Sequence, residues 1–154
     1  MKTQEENNLN SPIKIRPVKI KDLEDILEIE NEAYPKSRYS RETFIYYLKH
    51  IPDGFVAINY NEGIAGYIIF ESGGHLISIA IRKRFRRMGL GRKLIDYALQ
   101  ETRGKMWLEV RISNKGAIKF YQKLGMDVIG KIPAYYGKED AIIMGINKKN
   151  GSQK

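Results

Sequence analysis

The stretch RFRRMGLGRKLIDYAL, Arg84 to Leu99, gathers the groups best suited to holding an anion. Arg86, Arg87 and Arg92 carry formal positive charge. Gly89 and Gly91 stand one residue apart, directly before an apolar-faced helical pattern. The first N–H groups of a helix lack intrahelical acceptors, and the helix dipole adds partial positive charge there. Glycines without Cβ atoms let a phosphate approach the backbone closely. A pyrophosphate is the anion this arrangement suits. Two common phosphate loops fail on the residues themselves. A Walker A loop needs Lys and then Ser or Thr after its last glycine, where Arg92, Lys93 and Leu94 follow Gly91; a dinucleotide fingerprint needs a third glycine where Leu94 stands.

Two more residue types could move protons. Glu109 in WLEVR could accept one and Tyr121 in KFYQ could deliver one. Each has an ordinary reading beside the chemical one. Glu109 could be an exposed strand carboxylate, and Tyr121 shares a helix face with Ala117, Ile118 and Leu124, as a core aromatic does. His75 is also a candidate base, but at a strand start after two glycines its position gives no reason to prefer it.

The elements that must place these groups follow from changes of period. IKIRPV (Ile13–Val18) alternates as a short strand. Leu23, Ile26, Leu27, Ile29 and Glu30 then fall at helical spacing with Asp22 near the start. Pro35 breaks the pattern, and Ser40, followed three residues later by Thr43 within SRETFIYYL, makes an N-cap for a second helix. FVAINY, the turn NEG and IAGYIIF read as a hairpin, and HLISIAIR as the next strand. A helix over Gly91–Glu101, the strand KMWLEVRI, a helix capped by Ser113 or Asn114 and ended by Gly125, and a final hairpin around GKED complete the chain. The order is β-α-α-β-β-β-α-β-α-β-β, a mixed α/β domain. Its stretch from His75 to Tyr136 should contain parallel pairing with right-handed crossovers. Residues 1–12 read as a disordered leader, 13–148 as one domain and 149–154 as a flexible tail.

Composition narrows the function. The absence of cysteine excludes disulfides, thiolate metal sites and cysteine nucleophiles, and two histidines leave little for zinc, so no metal is expected. No apolar run approaches the roughly 20 residues of a membrane helix, and the polar start lacks a signal-peptide core, so the expected place is the cytoplasm, away from membranes. The net charge of +9 admits a polyanionic partner or a phosphorylated cofactor without choosing between them.

Arg86-x-x-Gly89-x-Gly91 resembles the acetyl-CoA signature of the GNAT N-acetyltransferases. The resemblance widens beyond it. HLISIAIRKRFRRMGLGRKLI is similar to the strand, loop and helix of protein N-terminal acetyltransferases of the ribosomal-protein alanine and archaeal types. WLEVRISNKGAIKFYQKLGM is similar to their next strand and helix, AYYGKEDAIIM to their closing hairpin and IENEAYPKSRYSRETF to their substrate loop, so that Ile13 to Ile146 is covered. The fold implied is a mostly antiparallel central sheet flanked by helices, with a parallel strand pair at the acetyl-CoA site.

By this resemblance acetyl-CoA is the co-substrate. The backbone of Ile79, Ala80 and Ile81 would bond its pantetheine arm, and Arg86, Arg87, Met88, Gly89, Leu90, Gly91 and Arg92 would cradle its pyrophosphate. Asn114 and Tyr121 would reach the pantetheine and thioester end, although Asn114 is also a plain helix cap. Glu109 matches the general base, acting through water, and Tyr121 the general acid. Tyr34, Lys36, Tyr135 and Tyr136 would line the peptide groove, with Lys36 standing where the ribosomal-protein enzyme carries tryptophan. The implied acceptors are protein or peptide N-termini, ribosomal proteins among them. A lysine or a polyamine remains the alternative acceptor, and a non-catalytic RNA- or ribosome-binding module the distant one, although no RNA motif is present and no specific nucleic acid is expected. Charge chemistry favours the α-amine. With a pKa near 8 it is roughly 10% neutral at pH 7, against about 0.04% for lysine, so lysine costs about 3 kcal/mol more to deprotonate.

Overall fold

The computed structural model describes residues 11–148. Its strands and helices come in the expected order: β1 (Ile13–Pro17), α1 (Leu23–Ala33), α2 (Arg41–His50), β2 (Phe55–Tyr60), β3 (Gly63–Phe70), β4 (Leu76–Ile81), α3 (Leu90–Glu101), β5 (Lys105–Arg111), α4 (Lys115–Lys123), β6 (Asp127–Ile132) and β7 (Ala141–Asn147). Residues 1–10 of the expected leader and 149–154 of the expected tail lie outside the described residues. Pro12, read as leader, has its carbonyl bonded by the Asn61 N–H at 2.6 Å. The chain traces two compact units that interleave in sequence. The first runs to Phe70 and adds Ser78–Ile95; the second takes Glu71–Ile77 and the residues from Asp96 onward.

In the first unit the sheet order is β1-β2-β3-β4, with β1–β2 and β2–β3 antiparallel. β2 and β3 are near-continuous apolar runs, and both are almost wholly buried. Phe44 of α2 meets the rings of Phe55 and Tyr67 at 5.8 and 5.7 Å, an aromatic cluster joined in the buried set by Ile26 and Ile29 of α1. Ser40 caps α2 as expected, its hydroxyl accepting from the Thr43 N–H at 3.2 Å.

Asp22 stands at the start of α1 without capping it. It is buried and accepts from Arg16 Nη1 and Nη2 at 2.7 and 3.0 Å and from the Lys19 N–H at 2.8 Å. The bonds from Arg16 hold its carboxyl below the usual aspartate range. A lowered folded-state pKa adds stability above the unfolded value, and that stability is lost as pH falls through the folded one. Asp22→Asn is expected to cost about 1–2 kcal/mol at pH 7. The difference from the parent should shrink in acid, as urea melts at pH 7 and pH 3 would show.

In the second unit β7 lies between β5 and β6, antiparallel to both, so the closing hairpin is present. Among the described residues, parallel pairing is present as the isolated bridge of His75 with Trp107. Gly74 makes that approach possible. With φ at +113° it turns the chain, and a Cβ there would lie 2.7 Å from the Lys105 carbonyl oxygen. Asn114 caps α4, its Oδ1 accepting from the Ala117 N–H at 3.1 Å, and Gly125 follows the helix at φ +99°. Among the described residues no helix is long and apolar enough to cross a membrane.

Candidate active site

In the first unit, the segment between β4 and α3 is built from backbone that side chains rarely adopt. A single 3-10 turn, Lys83–Phe85, is followed by extended Arg86, then by Arg87 at φ +67° and Gly89 at φ +78°. A Cβ at Gly89 would meet nothing within 4 Å. The left-handed turn at Gly89 therefore opens onto free space where α3 begins at Leu90, one residue earlier than its spacing suggests. Leu90 is buried and anchors the helix start, while Met88 is 41% exposed. The Phe85 ring sits 5.4 Å from that of Tyr60 and beneath the Arg84 guanidinium, which fixes the other end of the loop.

The arginines divide by partner. Arg82 is buried, gives Nε–H to the Ile64 carbonyl at 2.9 Å and pairs with Asp25 and Glu28 of α1, so it serves the fold. Arg86 turns its Nε–H back onto the Ile81 carbonyl at 3.1 Å. Arg87 and Arg92 are exposed. Ile79 and Ala80 are buried and Ile81 half-buried.

The Ile79 carbonyl is already taken by Tyr34, whose hydroxyl donates to it at 2.6 Å. Burial, with Glu30 adding to it, pushes the Tyr34 pKa up to about 12, so this hydroxyl remains a donor at neutral pH. Tyr34 thus ties the loop after α1 to β4 rather than presenting its hydroxyl freely. Lys36 in that loop is exposed.

The second unit gathers titratable side chains beside one face of β5. Met106, Leu108 and Val110 point into the core, which turns Trp107, Glu109 and Arg111 the other way. Glu109 Oε1 lies 2.8 Å from His75 Nε2, and His75 Nδ1 lies 3.1 Å from Glu71 Oε1. The imidazole stacks on Trp107 with centroids 5.4 Å apart and planes 16° from parallel. Burial alone would lower the His75 pKa, but its hydrogen bonds to the Glu109 and Glu71 carboxylates outweigh that and hold it above its ordinary value. Two flanking carboxylates favour the imidazolium, with both nitrogens donating.

The closing hairpin borders this cluster. The Arg111 guanidinium lies over the Tyr136 ring at 4.2 Å, and Tyr135 packs edge-on against Tyr136 at 4.9 Å. Burial raises the Tyr136 pKa, and the charge of Glu109 adds to that rise, so the two groups share one field. Glu139 accepts from the Ser113 N–H at 2.7 Å and from Arg111 at 3.3 Å, which fixes the loop. Tyr135 remains 49% exposed. Tyr121 is buried on α4 with its ring against Phe120, and its carbonyl accepts from the Leu124 and Met126 N–H groups.

Sequence reasoning named His75 as a candidate base without a reason to prefer it. Its pairing with Glu109 depends on the register of one parallel bridge, which spacing alone does not reveal.

Residues 23–126 match the acetyltransferase (GNAT) family, and the chain belongs to it. Its architecture is the α/β GNAT fold. An N-alpha-acetyltransferase of Sulfurisphaera tokodaii is 30% identical over 152 residues, covering 85% of this chain and 90% of that protein. The crystal structure of Ard1 from Thermoplasma volcanium is similar with a TM-score of 0.80 and 27% identity, over 88% of this chain and 98% of that one. The ribosomal-protein-S18-alanine N-acetyltransferase from Escherichia coli is similar with a TM-score of 0.74 and 29% identity, over 86% and 92% of the two chains.

Proposed function

We propose that this chain transfers the acetyl group of acetyl-CoA to the N-terminal α-amine of proteins in the cytoplasm, ribosomal proteins among them. The observation that carries the reading is Glu109, aimed from β5 and held by His75, in a chain similar to an N-alpha-acetyltransferase over 85% of its length. Acetyl-CoA supplies an activated thioester carbonyl; the chain's own residues must hold it and manage two protons.

The loop after β4 fits a pyrophosphate. The backbone is left-handed at Arg87 and Gly89, a Cβ at Gly89 would meet nothing within 4 Å, and the first N–H groups of α3 follow at once. Arg86, Arg87 and Arg92 add charge, while Met88, Leu90 and Gly91 contribute backbone only. The main chain of Ile79–Ile81 bonds the pantetheine arm. Asn114 spends its side-chain oxygen on its own helix cap and keeps its amide N–H groups for the co-substrate. Gly89→Ala is expected to raise the KM for acetyl-CoA about threefold to tenfold, because a side chain at φ +78° costs about 1–2 kcal/mol. Titration calorimetry with CoA checks this.

In the transfer, the amine nitrogen bonds the carbonyl carbon and the C–S bond breaks. Above the raised pKa of His75, the amine proton passes through water to Glu109 and on to the neutral imidazole, and Glu71 stabilises the imidazolium that forms. Tyr121 delivers the proton that the departing thiolate takes up. Tyr135 and Tyr136 hold the acceptor backbone, Tyr34 fixes the acceptor loop, and Lys36 biases which first residues enter. Mass spectrometry of a peptide bearing both a free N-terminus and an internal lysine tests the reading. Acetyl on the first residue alone is the expected product; acetyl on the lysine alone would overturn it.

A further inference from the structure

Glu30, in the last turn of α1, is only 2% exposed. Its carboxylate is held by donors rather than by a cation. The Tyr39 N–H donates to Oε2 at 2.8 Å and the Tyr67 hydroxyl to Oε1. The Tyr67 hydroxyl also lies 3.0 Å from Ser78 Oγ on β4. A buried carboxylate near a helix C-terminus is an expensive choice, since both burial and the helix dipole oppose its charge. An apolar side chain would pack α1 at lower cost. Its placement matches a different task. Tyr39 is next to last in the segment that leads from α1 to α2, and Tyr34, at the start of that segment, bonds the Ile79 carbonyl at 2.6 Å. Both ends of the segment are therefore tied to β4, one directly and one through Glu30 and Tyr67.

We propose that Glu30 is a positioning residue for the acceptor, fixing the exit of the Tyr34–Ser40 segment through the Tyr39 N–H. The inference rests on the reading above, in which that segment borders the acceptor. Glu30 touches neither substrate; it acts through Tyr39.

Steady-state kinetics of Glu30→Ala, Glu30→Gln and Tyr67→Phe tests it, with acceptor and acetyl-CoA varied in turn. Glu30→Ala should raise the acceptor KM about tenfold, the loss expected for charge-assisted hydrogen bonds, and shift the acetyl-CoA KM by less than about threefold. Glu30→Gln should recover to within about threefold of the parent, because its amide oxygen still accepts from Tyr39 and its N–H groups reach Tyr67. Tyr67→Phe keeps the aromatic packing and removes one donor, so it should show the same split at smaller size even if Glu30→Ala fails to fold. Equal rises in both KM values, or an unchanged acceptor KM in folded Tyr67→Phe, would overturn the proposal. Amide exchange at Tyr39 separates it from the functional reading. Its protection should fall in Glu30→Ala or Tyr67→Phe while α1 stays protected, whatever amine the enzyme acetylates; protection unchanged in a folded variant also overturns it. A parent enzyme inactive on N-terminal peptides would sink the α-amine reading alone.

Discussion

Glu109→Gln is expected to lower kcat by about 10²- to 10³-fold, with acetyl-CoA affinity within about twofold of the parent. Glutamine keeps the size and can still meet His75, but it cannot take a proton from the amine. The pH profile carries the rest of the prediction. Glu109 and Glu71 hold the His75 pKa above its ordinary 6.5. Below that raised value the imidazolium engages Glu109 and has no room for a further proton. Above it, neutral His75 can receive what Glu109 abstracts. kcat should therefore rise with pH through a limb lying above 6.5, and His75→Gln should abolish that limb. Stability must run the other way. A raised folded-state pKa adds stability below the unfolded value, and this is lost as pH rises through the folded one. Activity gained and stability lost over one pH window is a signature that an exposed, idle carboxylate would not produce.

Gly66→Val should cost about 3 kcal/mol and lower Tm by roughly 10 °C. Gly66 lies in β3, where a Cβ would stand 2.6 Å from the Ala80 carbonyl oxygen and 3.2 Å from Ile81 Cα. Those obstacles are backbone, so a rotamer change cannot relieve them, and β4 must move. The strand displaced is the one assigned to the pantetheine arm, so acetyl-CoA affinity should fall together with stability. Gly63→Ala is the control within the same strand. A Cβ at Gly63 meets nothing within 4 Å, and the expected change is within about 0.5 kcal/mol. Scanning calorimetry with and without acetyl-CoA reads both effects. Equal Tm values for the two variants would show that the close approach of β4 has no energetic consequence.

The order of elements was legible because local signals decide it. Asn114 and Gly125 delimit α4 by cap and left-handed turn, and the final two strands pair around their turn as the alternation suggests. What stayed hidden depends on which residues meet across the chain. Arg82 stands among the loop arginines in sequence, yet its guanidinium is buried with Asp25, Glu28 and the Ile64 carbonyl. Glu30 falls on the helical stripe with Leu23, Ile26 and Ile29, and only the three-dimensional arrangement shows that a carboxylate belongs there. The candidate site divides the same way. The loop's glycines and arginines declare an anion through composition alone. The Glu109–His75 pair needs the bridge that sets His75 beside Trp107.

The most direct test of the α-amine reading is CoA release from acetyl-CoA against two matched peptide sets. One set has free N-termini with varied first residues and no lysine; the other has blocked N-termini and a single lysine. Turnover confined to the first set is the predicted result, and its ranking by first residue would report the pocket beside Lys36. Turnover confined to the second would contradict the account and make the chain a lysine acetyltransferase.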